Sequence, residues 1–157
     1  MTVADPNHYL AFARYNTWAN RRVAELLETL TAGQAGPPLR LFSQLLRAEQ
    51  VWLGRMQGTD AALPIWEMDT LEVCRERVEA NAGAFKGALS SPTFADSERV
   101  SYTNSQGTEY RTAVADILSH VFNHGTHHRG QISLLLREAG GVPAPLDYIA
   151  YVRLRDQ

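Results

Sequence analysis

The sequence predicts an all-α fold, a four-helix bundle with one small β-hairpin before the last long helix. Three observations lead there. Apolar residues recur at spacings of three and four through four long stretches, the period of a helix. Turn chemistry separates those stretches. One short segment, Val100 to Arg111, alternates loosely around Asn104-Ser-Gln-Gly107 instead, which is a hairpin pattern. With 157 residues, 45% of them hydrophobic and 20% charged, the chain reads as a single domain over residues 1–157, long enough to bury a core without disulfides.

The first helix is expected over about residues 6–30. Asp5 is placed to cap it, Pro6 fits the first helical position, and Tyr9, Phe12, Asn16, Ala19, Val23, Leu26 and Leu30 mark one face. Gly33 and the run Gly36-Pro37-Pro38 read as its end. The second helix is expected over about 39–57, stopped by Gly58, with Leu41, Leu45, Trp52 and Met56 on its apolar stripe. Glu49 falls inside that stripe, an odd place for a carboxylate, and Gln44 lies on its shoulder. The third is expected over about 70–89, with Asp69 and Glu72 spaced as a capping box. Its core face carries Leu71, Cys74, Val78, Ala82, Phe85 and Leu89. The fourth is expected over about 112–139 and is stopped by Gly140-Gly141, Pro143 and Pro145. The tail from Leu146 to Arg153 is apolar enough to dock on the bundle.

Composition excludes several classes. The one cysteine, Cys74, rules out an intrachain disulfide and a cysteine-based zinc site, and reads as a small core residue. A net charge of −2 argues against a general nucleic-acid grip. The N-terminal stretch lacks the pattern of a signal peptide, and there is no run of about 18 apolar residues, so no membrane span and a cytoplasmic location are expected.

Four of the five histidines lie in one window, His120-Val-Phe-Asn-His124-Gly-Thr-His127-His128. On a helical wheel centred on Ile117, Val121, Ile132 and Leu135, His124 and His128 fall within about 20° of the inward direction. His120 and His127 lie on the shoulder, as surface groups or as neighbours of the site. The i, i+4 spacing lets His124 and His128 share one metal ion. Gly125 stands where the zinc-protease motif needs glutamate, so that chemistry is excluded. The alternative is a pair of core histidines satisfied by ordinary acceptors. A third ligand would come from a facing helix, and Gln44 and Glu49 are the candidates. His8 reads as solvated.

Three blocks, Arg14-Tyr-Asn-Thr-Trp-Ala-Asn20, Ala48-Glu-Gln-Val-Trp-Leu53 and His120 to Gln131, together with Asp147 to Arg153, resemble the DinB family over nearly the whole chain. The resemblance implies a bundle with a long crossover connection, a homodimer, and a three-histidine site for a divalent metal, zinc or nickel. Two of those ligands map onto His124 and His128. The third family histidine maps onto Gln44, whose neutral carbonyl oxygen is a weaker ligand than imidazole. Glu49 is then an alternative ligand. Relatives in the wider superfamily are thiol-dependent transferases and isomerases, so the resemblance also implies a metal-dependent S-transferase taking a low-molecular-weight thiol and a small electrophile. The competing readings are a degenerate metal site in a stress-linked bundle and a metal-free dimeric interaction protein. The aromatic residues Trp18, Trp52 and Trp66 are expected to be available for a dimer interface.

Overall fold

The computed structural model describes residues 6–59, 63–95 and 98–157. Among them the elements run α1 (Pro6–Glu28), α2 (Ala32–Met56), α3 (Leu71–Leu89), β1 (Arg99–Thr103), β2 (Glu109–Ala113), α4 (Val114–Glu138) and α5 (Tyr148–Arg155). The helix-cap expectation at Asp5 lies outside the described residues.

Two apolar clusters set the helix directions. One joins Tyr9 and Ala13 of α1, Leu53 of α2, Phe85 and Leu89 of α3, and Val114, Ile117, Leu118, Val121 and Phe122 of α4. The other joins Val23 and Leu27 of α1, Phe42, Leu45 and Leu46 of α2, Cys74 and Val78 of α3, and Ile132 and Leu136 of α4. The start of α1 thus lies with the end of α2, the end of α3 and the start of α4. Therefore α1 and α4 run one way, α2 and α3 the other, and the segment joining α2 to α3 must return along the bundle. That is the crossover connection.

Several boundaries differ from the sequence reading. The break after the first helix falls at residues 29–31, and Gly33, Gly36, Pro37 and Pro38 lie inside α2. The Thr31 N–H donates to Gln34 Oε1 at 3.0 Å, and Gln34 Nε2 donates to the Ala139 carbonyl at 2.8 Å, pinning the start of α2 to the end of α4. The prolines are the sixth and seventh residues of α2, so each forfeits one helix hydrogen bond, to the Gly33 and Gln34 carbonyls, and Pro38 is buried. Asp69 does not cap α3. Thr70 does, accepting from the Val73 N–H at 3.3 Å. The Asp69 carboxylate is instead gripped by Arg47 Nε at 2.9 Å and Arg77 Nε at 2.7 Å, with Arg47 also bonding the other oxygen.

The hairpin pairs Tyr102 with Tyr110 and feeds α4 directly, which delays the helix start to Val114. Gly140, at φ +84°, takes the left-handed conformation that ends α4. The tail docks as expected. Tyr148 stacks on Phe12 at 4.9 Å, and the Tyr15 hydroxyl donates to the Leu146 carbonyl at 2.7 Å.

Candidate metal centre

His124 and His128 stand one turn apart on α4, with Nε2 atoms 3.0 Å from each other and rings edge to face at 4.3 Å. Both are half-buried on the flank of the helix, not at the centre of its inward stripe. That centre is the line Leu118, Phe122, Gly125, Arg129, Ile132 and Leu136, all buried. The wheel pointed elsewhere because two of those six positions are a glycine and an arginine, which carry no apolar signal. His120 and His127 are exposed. Their rings lie 5.5 Å from His124 and His128 respectively, so the four imidazoles form one chain along the helix.

Trp52 of α2 meets the His120 ring edge-on at 5.1 Å. Gln44 lies about two turns before Trp52 on α2, and His128 about two turns after His120 on α4. Because α2 and α4 are antiparallel, Gln44 and His128 lie at a similar height along the bundle. Gln44 is half-buried, and its amide makes no hydrogen bond among the described residues.

Burial pushes the His124 ring down to about 4, helped by the neighbouring His128, His120 and His127. Burial also lowers His128 and His120 from the ordinary imidazole value. The pair is therefore neutral at pH 7, as a metal ligand must be. The His128 Nδ1 is buried without a partner. Among the described residues no group of three or more His, Cys, Asp or Glu side chains is gathered in metal-binding reach.

Glu49 is turned away from this pair, into a polar layer between the two apolar clusters. Its Oε1 accepts from Asn16 Nδ2 at 2.7 Å and Asn20 Nδ2 at 3.0 Å, and its Oε2 accepts from Asn81 Nδ2 at 3.1 Å. The oxygens of the same two α1 asparagines accept from Arg129 NH1 at 2.7 and 2.8 Å. A guanidinium only donates, so it fixes each asparagine with its oxygen toward Arg129 and its NH2 toward Glu49. Burial pushes the Glu49 carboxyl up and the Arg129 guanidinium down, while the asparagine donors pull Glu49 back toward its ionised form. All five side chains are 3% exposed or less, and they link all four long helices. The sequence reading flagged Glu49 as anomalous and placed Asn16 on the core face, but missed Asn20, Asn81 and Arg129. A buried polar residue on each helix, near mid-length, was the available signal.

Cys74 is fully buried, and burial pushes its thiol up to about 12, so it is inert packing.

A family model described as the DinB family matches residues 4–157. Over a stretch of 42 residues the chain is 52% identical to Protein DinB of Bacillus subtilis (strain 168); the stretch is 27% of this chain and 24% of that one. The alignment thus spans about a quarter of the curated relative. No solved structure matches. The family model covers residues 4–157 and the chain folds as a helical bundle with one hairpin, so the chain belongs to the DinB family.

Proposed function

We propose that this DinB-family chain binds one divalent cation, zinc or nickel, through Nε2 of His124 and His128, with the Gln44 amide oxygen as a weak third ligand. The observation that carries this reading is the convergence of two neutral imidazole Nε2 atoms to 3.0 Å. Two nitrogens on a tetrahedral zinc at ~2.0–2.1 Å stand roughly 3.3 Å apart, so the pair fits with a shift of a few tenths of an ångström. Glu49 is not part of this donor set, because both its oxygens are engaged by asparagines.

The chemistry proposed is a thiol S-transferase type of reaction between a low-molecular-weight thiol and a small electrophile. A cation held there would keep a thiol in its reactive thiolate form at neutral pH. The chain's own residues prepare the place. Burial keeps His124 and His128 unprotonated, and Trp52 closes the α2 side over His120. A cation on both Nε2 atoms would require the imidazole proton that the pair shares to sit on Nδ1. The His128 Nδ1 makes no hydrogen bond in this geometry, and the neighbouring Gln131 side chain, which favours the protonated ring, is a neutral and weaker support than a carboxylate.

A second reading is favoured by the same 3.0 Å contact: without a metal, one imidazole donates to the other and the pair satisfies itself. That would make this a degenerate site in a non-catalytic bundle. Metal analysis of protein purified without an affinity tag separates the two. About one equivalent per chain, and thiol consumption that chelation abolishes, supports the enzyme; metal-free protein without thiol turnover supports the degenerate bundle.

We also infer a homodimer, now resting on Trp66. Trp18 packs on Tyr151 at 5.6 Å and Trp52 on Tyr102 at 5.2 Å within the chain, whereas Trp66 is 78% exposed. Light scattering at 17.5 kDa across concentrations would contradict this.

A further inference from the structure

The flank of α4 away from α2 holds a cavity of about 520 Å³, between the last turns of α4 and the segment 143–147. Arg129, Ser133 and Arg137, spaced four apart, line it along one stripe of the helix, and Gly130 opens onto it. Its other wall is Tyr15 and the largely apolar run Pro143 to Leu146. One carboxylate, Asp147, also lines it, against the two arginines.

Arg129 has one satisfied side and one unsatisfied. NH1 is held by Asn16 and Asn20. NH2 makes only a 3.4 Å contact with Thr126 Oγ1, and Nε is buried with no partner. Nε and NH2 together form the fork that matches a carboxylate or phosphate in two parallel hydrogen bonds. Tyr15 shares that side, with its ring 5.4 Å from the guanidinium carbon and its hydroxyl favouring the charged form, so the guanidinium borders the cavity beside Tyr15 with an incomplete set of acceptors. Arg137, two turns on, makes no ion pair among the described residues and adds a second positive charge to the same cavity.

We propose that this cavity binds a small organic anion, with its carboxylate or phosphate on Arg129 and Arg137 and its apolar remainder against Pro143 to Leu146. The volume lies within the usual range for a small-molecule site of roughly 300–1,000 Å³. The site lies on a different face of α4 from the histidine pair, so it stands or falls independently of metal binding.

The test is an amide NMR titration of the full chain with benzoate, phenyl phosphate and, as the neutral analogue, benzyl alcohol. The expected result is saturable shifts at Gly130, Ser133 and Leu146 with at least one anion, and at least tenfold weaker binding of benzyl alcohol. Which anion binds tells carboxylate ligands from phosphate ligands. Arg137→Gln should weaken binding about tenfold, the worth of one charge-assisted hydrogen bond. Gly130→Phe should block it; a Cβ at Gly130 meets nothing within 4 Å, so the larger side chain enters open space and the fold survives, as an unchanged spectrum outside the cavity would show. No saturable binding of either anion, equal binding of benzyl alcohol, or binding untouched by both substitutions would overturn the proposal.

Discussion

Gly125 and Asn16 approach so closely that a Cβ at position 125 would stand 2.9 Å from Asn16 Oδ1 and 3.0 Å from Arg129 NH1. Asn16 cannot yield, because its oxygen holds Arg129 and its nitrogen holds Glu49. The glycine inside the histidine window is therefore there to admit the polar layer. Gly125→Ala should destabilise the protein by about 1–3 kcal/mol, despite the ~1 kcal/mol that alanine gains over glycine in a helix. Gly130→Ala on the same helix, facing open space, should stabilise it by about 0.5–1 kcal/mol. Thermal melts of the two variants give opposite signs if this holds.

Glu49 acts as the counter-charge to Arg129, relayed through Asn16 and Asn20. Glu49→Gln should cost about 2–4 kcal/mol, because it leaves a buried guanidinium uncompensated. Glu49→Gln combined with Arg129→Met should cost less than the sum of the two single changes, with a coupling of about 1–3 kcal/mol in a denaturant double-mutant cycle. Strict additivity would show that the two residues do not act through the asparagines.

Asp69 supplies an acid-sensitive contact. Arg47, then Arg77, hold its carboxyl down at about 2, against an ordinary 3.8. A depressed carboxylate stabilises the fold fully above the unfolded value and loses that stabilisation as pH falls from about 4 toward 2. The loss should be about 2 kcal/mol. In Asp69→Asn this acid limb should be absent, and stability at pH 7 should be lower than wild type by about 2 kcal/mol or more. Chemical denaturation at pH 7, 4 and 2.5 reads both effects.

The histidine pair gives a second, milder pH dependence. Buried His124 takes its proton only near pH 4, whereas in the unfolded chain it does so near 6.5. Between those values the unfolded state binds the proton and the folded state does not, so stability falls as pH drops from 6.5 to 4 and then levels. The half-buried ring keeps part of its hydration, so a loss of about 1–2 kcal/mol is expected. His124→Phe should flatten this limb. Titration of His124 near 6.5 by NMR would contradict it.

The bundle, the hairpin and the docking of the tail were legible because periodicity and turn residues report them directly. The α1–α2 break was misplaced because Gly36-Pro37-Pro38 is punctuation anywhere but a helix's first turns, and only the Gln34 contact to Ala139 reveals that α2 already begins at Ala32. The proximity of His124 to His128 followed from spacing alone. Their depth did not, because the inward line of α4 runs through Gly125 and Arg129, and a polar residue on a wheel looks outward until its partners on other helices are known. Glu49 was visible as an anomaly. That it faces three asparagines and not the histidines depends on helix rotation, which a single sequence does not encode.

Calorimetric titration of zinc and nickel into wild-type, His124→Ala and Gln44→His protein tests the central claim most directly. The expected result is about one metal per chain in the wild type, loss of that binding in His124→Ala, and tightening in Gln44→His. That tightening should exceed the 10–100-fold typical of a change behind the ligands. Binding should also be lost as pH falls toward 4, where His124 takes a proton. Metal binding that survives in His124→Ala, or a wild type and a Gln44→His variant that both bind nothing, would contradict it.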